Sequence, residues 1–442
     1  MVTERCGYVV LGVTLVSMTM LIGNSACFNF TVICMRPEER GDAWNSSRYY
    51  SSAEEGWLMS VPGIGLIVGT LPVIQLTNWI GMRHSFPIFG LISIAGTFSF
   101  PASAGAIYLA SFCRFAQGVA LASAFVAIGN VPIDYGGVEK KTLFMALLSC
   151  AYQLGCIAAI PTSAAFCASA FKWHGVYYLF SGISLISFGA FFVVYRNVST
   201  SKRTGSTAKV LPITPDSVHQ PNDNPRTPPY WAMLKTGSVW GLFSTGVGDA
   251  LAFLVFLIYG PIYMNKVLHF EVAATGLLAA LPYIATIIAK ALVGAFLHKS
   301  SIKESLRVNY WSNVVLHAVL IANFLILIFI AAERPILAEI LIIFTMVVAG
   351  LHFISMMSAA QIISQQYTHV ISSTTAAWEA LFGLILPPFV SYLAPNHLAD
   401  EWKHVFYCVT TFLVVTLVLY AALTKVTPAE WTKVDGKRQN AA

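Results

Sequence analysis

The chain has 442 residues, of which 57% are hydrophobic and only 10% charged, and its mean hydropathy is +0.69. A soluble globular protein carries about 25% charged residues, so 26 basic and 20 acidic side chains are too few to cover a water-soluble protein of this length. The formal charge of +6 is spread thinly, without the Lys/Arg tract or basic, aromatic-laced stripe that a nucleic acid would need. The solvent for this chain is a lipid bilayer, and the expected fold class is an all-α membrane protein.

A bilayer-crossing helix needs about 20 mostly apolar residues, because the hydrocarbon is ~30 Å thick and each residue rises 1.5 Å. Twelve stretches qualify, near 8–35, 56–77, 86–106, 107–132, 142–168, 175–195, 239–263, 272–297, 308–330, 336–363, 372–394 and 404–424. The first follows Arg5, is too long for the core of a signal peptide, and reads as a retained span. The third and fourth are split only by the small residues from Pro101 to Gly105, and the eleventh is polar at its start.

Lys and Arg accumulate in cytoplasmic loops. With both termini inside, 17 of them fall in inner segments, 7 in outer segments, and two, Arg114 and Lys290, within spans. Both termini are therefore expected in the cytosol, in a plasma, lysosomal or vesicular membrane. The Asn45-Ser46-Ser47 sequon then lies in the first outer loop and Asn45 is the expected glycan acceptor. The eight cysteines sit in or beside apolar stretches, without metal-ligand spacing, and read mostly as inert core thiols. Cys34 and Cys167 both fall near the outer face, which leaves a bridge between them open. No metal and no cofactor is implied.

Residues 196–235 turn polar and rich in Pro, Ser, Thr and basic side chains, the composition of a cytoplasmic linker. The linker divides the chain into six-helix halves, 1–195 and 236–425, with a cytoplasmic tail at 426–442. Weak internal symmetry supports the division. Gly56-x-Leu58-x-x-x-Pro62 recurs as Gly276-x-Leu278-x-x-x-Pro282, and Trp173-x-x-Val176-Tyr177-Tyr178 recurs as Trp402-x-x-Val405-Phe406-Tyr407. Two matched six-helix bundles with a site between them near the midplane are a transporter architecture.

Several motifs carry a more specific likeness: Arg114-x-x-Gln117-Gly118, Gln153-Leu154-Gly155, the Trp173 to Tyr178 stretch, Pro261-x-Tyr263 leading to Val267-Leu268-x-Phe270, Leu278 to Tyr283, and Trp402-x-x-Val405-Phe406. In order and spacing, over roughly residues 8 to 425, they resemble one branch of the major facilitator superfamily. That branch holds the sialin, vesicular glutamate and sodium-phosphate type anion transporters. The resemblance implies a solute carrier moving a small organic anion or phosphate by alternating access, driven by H+ or Na+ symport or by membrane potential; the oligomeric state is left open, with a monomer favoured.

An ionisable side chain within a span costs about 2.5–3.5 kcal/mol on insertion scales, so each is a functional candidate. Arg114 matches the span-four arginine of that branch, and its guanidinium fork can hold a carboxylate or phosphate; the alternative is a helix-packing role. Ser25, Gln117 and Gln153 either line a cavity beside it or cement helix contacts. Asp249, near the midplane of span seven, is a candidate for proton coupling or for an ion pair that neutralises the arginine. Lys290 and Glu379 share a depth and so are candidates for a pair, although a snorkelling Lys290 is the simpler reading. For His317 and His352 a packing role is favoured over a proton relay.

Departures from the branch are equally informative. The position of its span-one arginine falls near Ser25, that of its span-seven arginine near Asp249, and a carboxylate two turns after Arg114 is replaced by Leu121. The loop reading Asn78-Trp79-Ile80-Gly81-Met82-Arg83 lacks the usual acid, as does His298-Lys299. The branch's own coupling glutamate is thus absent. The leading expectation is a secondary transporter of a small anionic solute; the alternative is a transporter-like sensor that moves no cargo. No nucleophile, metal or phosphate-loop constellation suggests an enzyme.

Overall fold

The computed structural model describes residues 2–40, 48–136, 143–145, 147–196, 229–299, 306–330 and 333–432. Asn45, most of the expected linker and the last ten residues of the tail lie outside the described residues. The chain is all-helical. Its first half contains α1 (Val2–Thr31), α2 (Ser52–Ile80), α3 (Met82–Ser103), α4 (Ile107–Tyr135), α5 (Ala151–Cys167) and α6 (His174–Val194). Its second half contains α7 (Gly237–Lys266), α8 in two pieces (Val272–Leu278 and Leu281–Lys299), α9 (Leu306–Ile330), α10 (Pro335–Ser364), α11 (Thr368–Leu393) and α12 (Ala399–Leu423).

Among the described residues eleven helices are long and apolar enough to cross a membrane. The remaining helix, α11, has an apolar portion of only Ala377–Leu393, because its first turns carry Thr368, Ser372, Ser373, Thr374 and Thr375. Lipid exposure also explains the outward-facing apolar surface, such as Leu71, Phe112 and Ile186, each at least two-thirds exposed.

Within the first half α1 packs on α5 and α6, α2 on α4, and α3 on α4 and α6; within the second, α7 packs on α10, α11 and α12, and α9 on α10 and α12. The halves meet through α2 with α11 and α5 with α8. One apolar core, including Phe28, Tyr50, Trp173, Tyr259 and Trp402, runs through both halves at the end away from the chain termini. At the terminal end each half keeps a separate core, around Phe86 and Phe191 in one and around Met356 and Tyr420 in the other. The molecule is therefore closed at the distal end, and its halves part towards the termini.

One boundary is corrected at the distal end. The first helix stops at Thr31, not near residue 35, where the Thr31 hydroxyl hydrogen-bonds Tyr177 at 2.7 Å and the chain turns. That turn brings Cys34 onto Cys167, and the two form the disulfide that their shared outer position had left open, with Cα atoms 6.0 Å apart. Beside it Glu39 accepts hydrogen bonds from Lys172 Nζ at 2.8 Å and Trp173 Nε1 at 2.7 Å. Partial burial works against ionisation of Glu39, yet these donors outweigh it and hold its carboxyl below the usual range. Within the expected linker, Tyr230–Leu234 forms a short helix with Met233 buried.

Candidate functional site

Close backbone approach between α2 and α4 builds the first part of the site. A Cβ on Gly118 would sit 2.1 Å from the Pro62 carbonyl oxygen, and one on Gly65 2.3 Å from that of Phe115. Only glycine permits this contact, and it presents the α2 backbone to Arg114. Arg114 is 1% exposed. Its Nε donates to the Leu58 carbonyl at 3.1 Å, and its Nη1 donates to the Ser25 carbonyl at 2.7 Å and to Gln117 Oε1 at 2.8 Å. The guanidinium lies over the Phe28 ring at 4.9 Å.

Gln117 is held in turn by its donation to Thr97 Oγ1 at 2.9 Å. Ser25 contributes its backbone carbonyl to the arginine, not its hydroxyl. Gln153 is buried on α5 and is not joined to the arginine. The ionisable groups nearest Arg114 are Tyr177, Cys27 and Tyr50; no acidic side chain among the described residues pairs with it. Asp249 in particular does not neutralise it, which corrects that alternative.

Asp249 instead belongs to a network confined to the second half. Its Oδ1 lies 3.2 Å from His352 Nδ1, and both groups are buried. His352 Nε2 is 3.1 Å from Thr245 Oγ1, which is 3.2 Å from His317 Nδ1, and His317 Nε2 is 3.1 Å from the Leu413 carbonyl. Five residues on α7, α9, α10 and α12 thus form one continuous polar line through an apolar bundle. Both histidines are hydrogen-bonded members of it.

Lys290 and Glu379 flank the open end of this line, and each lies within electrostatic range of Asp249. No ion pair within 4.0 Å joins them. The Lys290 chain lies against Gly350, where a Cβ would meet Cε at 3.0 Å, and its Nζ is 6.0 Å from the Phe353 ring centre.

A third polar contact was absent from the sequence reading. Glu55 on α2 and His397, in the turn before α12, are both buried, with Oε1 and Nε2 3.3 Å apart across the joint between the halves. His397 holds a φ of 53°, a left-handed conformation costly for a non-glycine residue. Around it Ser60 Oγ donates to the Leu384 carbonyl at 3.0 Å and Arg48 Nη1 to the Pro395 carbonyl at 2.8 Å, both also from one half to the other.

Comparison with known proteins gives this architecture its family. The Major Facilitator Superfamily profile matches residues 9–384. The chain belongs to that superfamily. It is a membrane transporter, not an enzyme. Human sialin is 21% identical over 396 residues, covering 88% of this chain and 79% of sialin. The mouse sodium-dependent phosphate transport protein 1 is 22% identical over 291 residues, covering 65% of this chain and 61% of that protein. Among solved structures, a bacterial homolog of the human lysosomal transporter Spinster aligns with a TM-score of 0.67 at 11% identity, over 94% of this chain and 96% of that one. A D-xylose–proton symporter aligns with a TM-score of 0.64 at 12% identity, over 95% and 98%. At these identities the structures establish the fold, and the distant relatives place the chain near the sialin and sodium-phosphate transporters.

Proposed function

We propose that this transporter carries a small anionic solute, with Arg114 as its anchor and Gln117 setting the guanidinium's orientation. The observation that carries this reading is a fully buried cation without an acidic partner among the described residues. An isolated charge in low dielectric is costly unless hydrogen-bonded or matched by an opposite charge. Carbonyls of α1 and α2 meet part of that demand, and a carboxylate or phosphate on the transported solute supplies the rest. Names of the distant relatives, sialin and sodium-dependent phosphate transport protein, agree with an anion.

In this reading the termini face the cytosol, residues 1–195 rock against residues 236–425, and the state described opens towards the cytosol. Uptake into liposomes by purified protein tests it, using phosphate and a panel of carboxylates with neutral sugars as controls. Wild type accumulates one class of anion, Arg114→Lys retains weak uptake with a raised KM, and Arg114→Gln loses it. Equal uptake by Arg114→Gln, or transport of neutral controls alone, refutes the anion anchor.

A further inference from the structure

We propose that the short helix Tyr230–Leu234 and the lysines on either side of the α7 start, Lys235 and Lys425, form a membrane-surface site for the headgroup of an anionic phospholipid. The site is separate from Arg114 and does not depend on the anion reading.

Its level in the membrane follows from the helix ends. At the terminal end of the molecule α2 stops while α7 and α9 begin, and each carries an exposed tryptophan there: Trp79, Trp240 and Trp311. Indole rings gather where hydrocarbon meets headgroups, so these three mark the membrane surface. The short helix lies at the same level, separated from α7 by Lys235 and Thr236. Met233 points inward and packs in the terminal core of the second half with Val239 and Tyr420. Tyr230, Trp231 and Leu234 are exposed on the other side, Trp231 by 71%. That face runs on into the lipid-facing surface. Trp240 Nε1 donates to the Leu234 carbonyl at 2.7 Å, and a Cβ on Gly237 would meet the carbonyl oxygen of Leu423, itself exposed on the last turn of α12, at 3.5 Å. An aromatic face of this kind, rimmed by basic side chains and continuous with lipid-facing surface, is covered by the bilayer interface.

Charge sets the kind of lipid. Lys235 Nζ stands over the Trp231 ring, 5.1 Å from its centre, which keeps the ammonium at the edge of the aromatic face. Lys425 is brought to the same helix start, because its backbone N–H donates to Ser238 Oγ at 2.9 Å and Ser238 Oγ donates to its carbonyl at 3.2 Å. Both lysines are exposed, and neither has an acidic partner among the described residues. Neither 224–248 nor 402–429 contains an acidic residue. The next acid, Glu430, adjoins Trp431, whose Nε1 donates to Thr236 Oγ1 at 2.9 Å, so one carboxylate stands against two ammonium groups. This excess of positive charge at headgroup depth selects a lipid of net negative charge over a zwitterionic one. Each ammonium near an anionic surface favours binding by about 5-fold, and the two together by up to about 25-fold.

Quenching of tryptophan emission by brominated lipids tests the site on the full chain in phosphatidylcholine vesicles, without any transported solute. The signal of Trp231 is the difference between wild type and Trp231→Phe. Half-quenching is expected at a mole fraction of brominated phosphatidylserine about 5- to 25-fold lower than that of brominated phosphatidylcholine. The double variant Lys235→Gln, Lys425→Gln brings the two titrations together while Trp231 stays quenchable, and Lys235→Arg, Lys425→Arg keeps them apart. Coincident titrations in wild type overturn the proposal. So does a gap that survives the double glutamine variant in protein eluting as a single folded species. Quenching of Trp231 by aqueous iodide and by neither lipid puts the helix in water and overturns it as well. If the gap is present while no solute is taken up, the anion reading fails and the lipid site stands; uptake that needs Arg114 in protein without the gap removes the lipid site and spares the anchor.

Discussion

Replacing Glu55 with alanine is expected to open the distal end of the molecule. Glu55 and His397 are 7% and 4% exposed and 3.3 Å apart, and they join the two halves. Stranding a buried hydrogen-bonding group costs about 1–3 kcal/mol, and full loss of a buried charged pair about 3–5 kcal/mol. Because the contact exists only while the distal end is closed, this loss falls on the equilibrium between closed and open states. At the smaller figure the closed state loses about 5- to 150-fold in relative population. Spin labels at exposed Ala53 and Leu398, on opposite sides of the joint, report the change by double electron–electron resonance. Wild type gives one short distance, Glu55→Ala adds a long one, and Glu55→Gln, which keeps an acceptor for the imidazole, stays close to wild type. Identical distributions in wild type and Glu55→Ala would mean that the remaining contacts, such as Ser60 to Leu384, hold the joint alone.

Further outcomes follow from other contacts. Gly118→Val forces a side chain into the Pro62 carbonyl and is expected to destabilise by about 3 kcal/mol or more, whereas Gly105→Ala, with nothing within 4 Å of its added Cβ, leaves the melting temperature unchanged. The Cys34–Cys167 bridge closes a separation of 133 residues, for which chain entropy sets an upper bound of about 5 kcal/mol; spans already threaded through lipid lower that figure, and Cys34→Ser should still reduce the melting temperature and free the Cys167 thiol for alkylation. Glu39 has a folded-state pKa below its unfolded value. Its stabilisation is therefore full above the unfolded pKa of about 4.3 and is lost as the pH falls through the lower folded value. The melting-temperature gap between wild type and Glu39→Gln should stay constant from neutral pH to about 5 and shrink below about 4.

The apolar runs were legible because depth in a bilayer is a one-dimensional property. A run of sufficient length identifies a span. The internal repeats were legible too. Gly56 meets Ser391 where α2 crosses α11, with a would-be Cβ 2.1 Å from its Oγ, and Gly276 meets Ala164 where α8 crosses α5, at 2.1 Å from its Cβ. The two copies of one motif thus stand at the two crossings between the halves. Direction around each helix was not legible. Core and lipid are both apolar, so helices such as α2 and α4 show little contrast between faces, and position along the sequence does not say which neighbour His317 or Lys290 faces. Glu55 lay at an estimated span boundary and His397 in a loop, 342 residues apart. Nothing local announced their contact.

The repeat duplicates the frame but not the charges, and this asymmetry bears on coupling. Among the described residues the first half buries Arg114 without an acidic partner, while the second buries Asp249, with two histidines behind it and the half-buried Glu379 and Lys290 nearby. In the proposed reading the anion binds on the first-half side of the space between the halves, and a proton taken up by the second half would bind on the other side. Coupling between them must be reciprocal: if protonation of the second half favours one packing of its helices, and anion binding at Arg114 favours the same closure, each tightens the other by the same factor. No direct contact between proton and anion is required. The shared element is the joint itself, where α2 meets α11 and α5 meets α8, and a distal contact such as Glu55–His397 sets how much binding energy is needed to open it. Weakening that contact should therefore change the steepness with which a driving-ion gradient powers uptake without changing which anion binds.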